Sequence, residues 1–223
     1  MLEIWGRKNS GNVQPVMWAI GELGLEFKRH NVGGSFGGLD TEQYGELNPN
    51  RTIPTLRDGD RILWESQTIV RYLASEYGAD SLWSSNTYER ALADQWSEWF
   101  KATAWPHFIS VWVGFRTPVE QRNEQAIAAA AEKFGSALAI VDLRLSSSPF
   151  VAGIELSFGD IAMGAWAYKY FNLEIIERPS LPHLEKWYAR LCERSAYQKH
   201  VMIPFGRTPE EWLEFEKAGA NDE

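Results

Sequence analysis

Four short stretches carry side chains whose type and placing could do chemistry. In Asn9-Ser10-Gly11-Asn12 a hydroxyl and an amide stand between an apolar stretch, Leu2 to Trp5, and a run that turns apolar at helical spacing from Val13. Donors at such a junction either cap the helix or reach a ligand atom held at its positive end. In Asn48 to Leu56, Pro54 stands directly before a strand, behind the β-branched Ile53. It is either an ordinary strand-start proline or a cis bond that turns the backbone N–H and C=O of Ile53 towards a ligand. Glu65-Ser66 lies where a strand gives way to a helix. Ser66 can cap that helix, and its backbone N–H lies where carboxylates bind well. Finally, Trp105, Phe108, Trp112 and Phe115 fall on one helical face, either as core or as the wall of a pocket.

The elements that must position these residues alternate in the first third of the chain. Leu2 to Trp5 reads as a strand, Val13 to Leu23 as a helix closed by Gly24, and Glu26 to Asn31 as a second strand. The loop "GGSFGG" leads to a short helix over Thr41 to Leu47. A hairpin follows, turning at Asp58-Gly59, a strong turn pair, and Glu65 to Tyr77 is a helix ended by Gly78. Beyond a small polar linker the spacing predicts helices only. One long helix runs from Tyr88 to Phe115 with a kink at Pro106, and a second from Glu120 to Leu145. Shorter ones span Gly159 to Tyr170, Leu181 to Glu193 and Pro209 to Lys217. Asn86 with Glu89, and Ser157 with Asp160, have capping-box spacing, which makes Asp160 structural rather than catalytic.

The totals narrow the function. The 223 residues are 44% apolar, ample for a core, with a net charge of −8. So acidic a chain has no broad footprint for phosphate backbones or anionic lipids, so neither nucleic acid nor membrane is an expected partner. No apolar leader stands at the start and no apolar run could span a bilayer. The lone Cys192 excludes an intramolecular disulfide and any Cys-x-x-Cys site. His30, His107, His183 and His200 lack metal-ligand spacing, so no metal is expected. "GGSFGG" lacks the Lys-Ser/Thr of a phosphate loop, and no dinucleotide fingerprint follows a strand. A cytoplasmic protein is the simplest reading. The eleven tryptophans are an excess.

The order, the spacing and the wording of "NPNRTIPTLRDGDRILWESQTIVRYLA" resemble the glutathione transferase family over nearly the whole chain, nearest to its serine-type theta and delta classes. The resemblance is specific in the first part and looser after Gly78. It implies a thioredoxin-like N-terminal domain over residues 1–79, a linker over 80–87 and an all-helical domain over 88–223 that forms an electrophile pocket. Pro54 would be the family's cis-proline. The Ile53 backbone would pair with the cysteinyl part of glutathione, Glu65 and Ser66 would hold its γ-glutamyl end, and Arg51, beside Thr52, would meet the glycine carboxylate through its planar fork. Ser10 falls where those classes keep their thiol-activating hydroxyl. Asn12 stands where they usually have proline, and its amide can also donate to sulfur, so both remain candidates. No tyrosine or cysteine stands in that turn. The implied protein is a homodimeric transferase that aims glutathione, as thiolate, at a hydrophobic electrophile beside Trp105, Phe108, Trp112 and Phe115. Glutathione would be a co-substrate, with no other cofactor. Peroxide reduction, dehalogenation, isomerisation and ligand binding without catalysis are the rival readings on the same fold.

Overall fold

A computed structural model describes residues 1–79 and 81–218. The expected linker begins at residue 80, and the expected helical domain ends at residue 223. Residues 80 and 219–223 lie outside the described residues.

Strands β1 (Leu2–Trp5), β2 (Phe27–His30), β3 (Thr55–Asp58) and β4 (Arg61–Trp64) form one sheet in the order β2-β1-β3-β4. β1 and β2 run parallel, and the other two pairings are antiparallel. The parallel pair needs a crossover, supplied by helix α1 (Gln14–Glu22). Leu2, Ile4 and Leu56 face inward and meet Val16, Ile20, Ile69 and Leu73 in the core. α1 stops where Gly24 takes φ +62, a conformation glycine adopts at no steric cost. Thr41 caps α2 (Glu42–Leu47), its hydroxyl accepting the Tyr44 N–H at 3.3 Å. Helix α3 (Ser66–Tyr77) follows the hairpin. Its cap position is Glu65, at φ 72, with no side-chain cap bond, so Ser66 is the first helical residue rather than the cap.

The rest is helical: α4 (Thr87–Trp99), α5 (Trp105–Phe115), α6 (Glu124–Leu145), α7 (Phe158–Asn172), α8 (Pro182–Cys192), α9 (Ser195–His200) and α10 (Pro209–Ala218). The single long helix expected to Phe115 is therefore two, joined by a π-turn over Phe100–Ala104 in which the Trp105 N–H donates to the Phe100 carbonyl. Pro106 has no N–H and its ring crowds the carbonyl of Ala102, so the helix absorbs an extra residue in that turn. The short α9 carries no clear sequence signal and was not expected.

α7 is buried almost all round and runs through the middle of the molecule. At its start the Ser157 N–H and hydroxyl donate to Asp160 Oδ2 at 3.0 and 2.8 Å. Oδ1 accepts the Val151 N–H at 2.9 Å and the Trp187 indole N–H at 3.0 Å. Burial pushes the Asp160 carboxyl up, while these four donors pull it back. Asp160 thus ties three segments together. Of the eleven tryptophans, Trp18, Trp112, Trp166, Trp187 and Trp212 are buried, and Trp83, Trp96, Trp99 and Trp105 pack partly buried against the core.

Candidate active site

A cavity of about 240 Å³ opens between the sheet part and the helical part. Asn12, Thr52, Ile53, Pro54, Glu65, Ser66 and Gln67 line it from one side, and Phe100, Lys101, Trp105 and Trp166 from the other. The Ile53–Pro54 bond is cis. The Thr52 carbonyl behind it is held by the Tyr44 hydroxyl at 2.6 Å and the Asn48 amide at 2.9 Å. Both partners also reach the buried Thr55 hydroxyl, at 3.0 and 3.2 Å, so the segment entering β3 is fixed by a small polar network.

The turn before α1 spends its own backbone donors internally. The Val13 and Gln14 N–H groups donate to the Ser10 carbonyl, both at 2.9 Å. The Asn12 N–H points to the Ser10 hydroxyl at 3.4 Å. Ser10 is only 6% exposed and does not line the cavity. Asn12 does, and it is exposed. The two expected candidates are therefore placed differently, one beneath the turn and one at the surface of the cavity.

Arg51 is also placed away from it. At φ 52 its guanidinium donates to the carbonyls of Leu39 and Thr41, at 2.9 and 2.7 Å, and braces the loop before α2. Of the aromatic stripe on α5, only Trp105 lines the cavity. Phe108, Trp112 and Phe115, expected in the pocket wall, are instead buried in the helical core and do not line the cavity. Phe108 packs on Phe134, Trp166 and Tyr170, and Trp112 on Phe115, Trp166, Phe205 and Trp212. A one-sided stripe marks a buried face without saying which neighbour buries it.

Four lining residues were not foreseen. Phe100 and Lys101 reach the cavity from the π-turn, whose sequence signal is Pro106. Gln67 stands one residue past the expected Ser66. Trp166 comes from α7, far along the chain, and its ring packs against Gly11. Across the cavity Lys101 Nζ donates to Glu65 Oε2 at 3.0 Å.

Behind this wall lies Lys169. Its ammonium donates to the Gln14 side-chain carbonyl and sits over the rings of Trp112 and Trp166, 5.6 and 5.3 Å from their centroids. Burial pulls it down to about 7. Glu216 of α10 pairs with Arg7 at 2.6 Å and accepts the Ser35 N–H at 2.9 Å. Among the described residues no acidic, histidine or cysteine cluster is arranged to hold a metal, and no helix is long and apolar enough to cross a membrane.

Two family models match the chain: "Glutathione S-transferase, N-terminal domain" over residues 9–76 and "Glutathione S-transferase, C-terminal domain" over residues 92–195. The chain is 38% identical over 207 residues to glutathione S-transferase GstB of Escherichia coli strain K12, covering 92% of this chain and 99% of that protein. It is similar to the crystal structure of a theta class glutathione S-transferase from Xanthomonas axonopodis pv. citri with glutathione bound, with a TM-score of 0.88, 44% identity, and coverage of 92% and 99% of the two chains. The apo form of that enzyme matches with a TM-score of 0.80.

Proposed function

The chain belongs to the glutathione S-transferase family, and we propose that its cavity binds glutathione, holds it as thiolate and directs it at an apolar electrophile. One observation carries this reading. A single cavity is lined by Asn12, the cis Ile53–Pro54 backbone and Glu65-Ser66 on one side, and by Phe100, Trp105 and Trp166 on the other.

Ile53 offers its backbone to the cysteinyl unit. Ser66, first in α3, has an N–H with no helical partner and suits the γ-glutamyl carboxylate, while Glu65 suits the γ-glutamyl ammonium. A free thiol has a pKa of about 8.5 and is mostly protonated at neutral pH. Lowering it by about two units needs roughly 2.7 kcal/mol of preference for the anion. One hydrogen bond to a charged acceptor is worth ~1.5–3 kcal/mol. The Asn12 amide is assigned as the donor for that bond; the backbone N–H groups of Asn12, Val13 and Gln14 are already engaged on Ser10. Ser10 shapes the turn from beneath. The thiolate then attacks carbon in an electrophile lying against the three aromatic rings.

So described, the reaction takes glutathione as co-substrate and needs no metal or prosthetic group. A cytoplasmic setting fits a chain with the single Cys192. A homodimer fits the exposed apolar side chains Ile62, Trp64, Tyr77, Tyr88 and Leu143. Light scattering should give twice the mass of one chain, and a monomer would overturn that assignment.

The test of function is a titration with glutathione, followed by thermal shift and by the ultraviolet absorbance of the bound thiolate. Saturable stabilisation with thiolate formed at neutral pH is expected. Stabilisation without thiolate would make the protein a binder, and neither signal would remove the reading altogether.

A further inference from the structure

We infer that Lys101 makes the site selective for electrophiles that carry a carboxylate beside an aromatic or similarly flat apolar body. The inference rests on the glutathione reading above and deepens it.

Among the lining residues Lys101 is the one cation and Glu65 the one acid, and they meet at 3.0 Å. Their side chains are 53% and 47% exposed, so the pair is open to water and easily exchanged for another. In the proposed complex Glu65 turns to the γ-glutamyl ammonium. Lys101 is then a cation without a carboxylate, at the rim of an apolar pocket.

Its position on the wall says which ligand it serves. Lys101 lies between Phe100 and Trp105, and the π-turn brings all three to the cavity. It therefore rises from the helical wall, opposite the backbone of Ile53, and its ammonium spans the cavity to Glu65 at the start of α3. A compound whose ring rests against Phe100, Trp105 and Trp166 could place an acidic substituent at Lys101 Nζ.

Charge supports the same choice. Bound glutathione carries two carboxylates and a thiolate against one ammonium. An incoming anion is repelled by that charge, and a fixed cation beside its path offsets the repulsion. With a chloronitrobenzoate the chemistry is complete in itself. The thiolate sulfur bonds to the ring carbon bearing chlorine, the C–Cl bond breaks with its electron pair, and chloride leaves. The carboxylate is unchanged and no other reactant is needed.

The experiment compares para-chloro-meta-nitrobenzoate with the corresponding benzamide, which has the same shape and no charge. kcat/KM is measured for both with wild type, Lys101→Met and Lys101→Arg, after subtraction of the uncatalysed rate. The expected result is that the benzoate-to-benzamide ratio falls on the order of tenfold in Lys101→Met, about one hydrogen-bonded ion contact, and recovers in Lys101→Arg. Lys101 is exposed enough that neither variant threatens folding, and a melting curve checks this. The inference is overturned if the ratio stays put, or if both rates fall together while glutathione binds more weakly, which would assign Lys101 to glutathione. Turnover of neither compound by wild type also overturns it. The glutathione titration, if still positive, would show that the reading beneath it survives.

Discussion

Gly11 lies flat against the Trp166 ring: a methyl group on Gly11 would come within 2.2 Å of it. Trp105, Phe108 and Trp112 pack around the ring, which leaves it only the cavity side to retreat to. Gly11→Ala therefore moves the turn that carries Asn12 or drives the ring into the cavity. Overpacking of this kind costs ~1–3 kcal/mol. The variant should melt lower and, by displacing Asn12, raise the pKa of bound glutathione. A wild-type pH profile of the thiolate absorbance would show that Asn12 does not depend on this contact.

The two donors of the turn should separate by experiment. Asn12→Ala should raise the pKa of bound glutathione by about one to two units, the worth of one charged hydrogen bond, with little loss of affinity. Ser10→Ala should act mainly on stability, because its hydroxyl lies under the turn. The pH profile of the thiolate absorbance in the two variants decides between them. A shift in Ser10→Ala alone would return the activating role to the serine.

Trp105 and Trp112 share a helix and should behave unlike one another. Trp112→Ala removes a ring that touches four other aromatic side chains and should cost ~3–5 kcal/mol. Trp105→Ala, at the cavity, should cost less and change the ranking of electrophiles. Urea midpoints and a small panel of substrates report both. Equal losses of stability would mean that Trp105 is core as well.

Lys169 gives a pH signature. Its folded pKa, about 7, lies below the ordinary lysine value of 10.5. Between those values the unfolded chain holds the proton more often than the folded one, so stability rises with pH at about 1.4 kcal/mol per unit at most. Lys169→Met lacks that dependence and leaves the Gln14 carbonyl unpaired at every pH. The melting temperature of the methionine variant relative to wild type should therefore fall as pH is raised from about 7 towards 10. A constant difference would mean that Lys169 keeps its proton in the fold throughout.

What could be read from the sequence was what is local. Pro54 before a strand, Glu65-Ser66 at a strand–helix junction and Asp58-Gly59 between two apolar runs each announce themselves within a few residues. The fold class follows from where the strands stop. The cavity is different, because one side of its wall arrives from α7 and from a π-turn and the helix after it. Pro106 signals a disturbance without saying that it would carry Phe100 and Lys101 to the cavity. Trp166 sits in a helix apolar all round, where no periodicity marks one face. Ser10 and Asn12, two residues apart, could not be ordered by type, since either side chain can donate. What separates them is which one the turn buries.

Helix α1 has a practical consequence for anyone who would cut this protein in two. It is buried from Gln14 to Ile20, with the core under the sheet on one side and Gly164, Tyr197 and His200 on the other. A fragment of residues 1–79 would leave Trp18 open to water, together with the side of the helix that α7 and α9 cover. Such a half should be sticky and short-lived when made alone, and a nascent chain on the ribosome passes through the same state. Chimeras that exchange the helical part between relatives will succeed only when the two or three side chains meeting α1 travel with it.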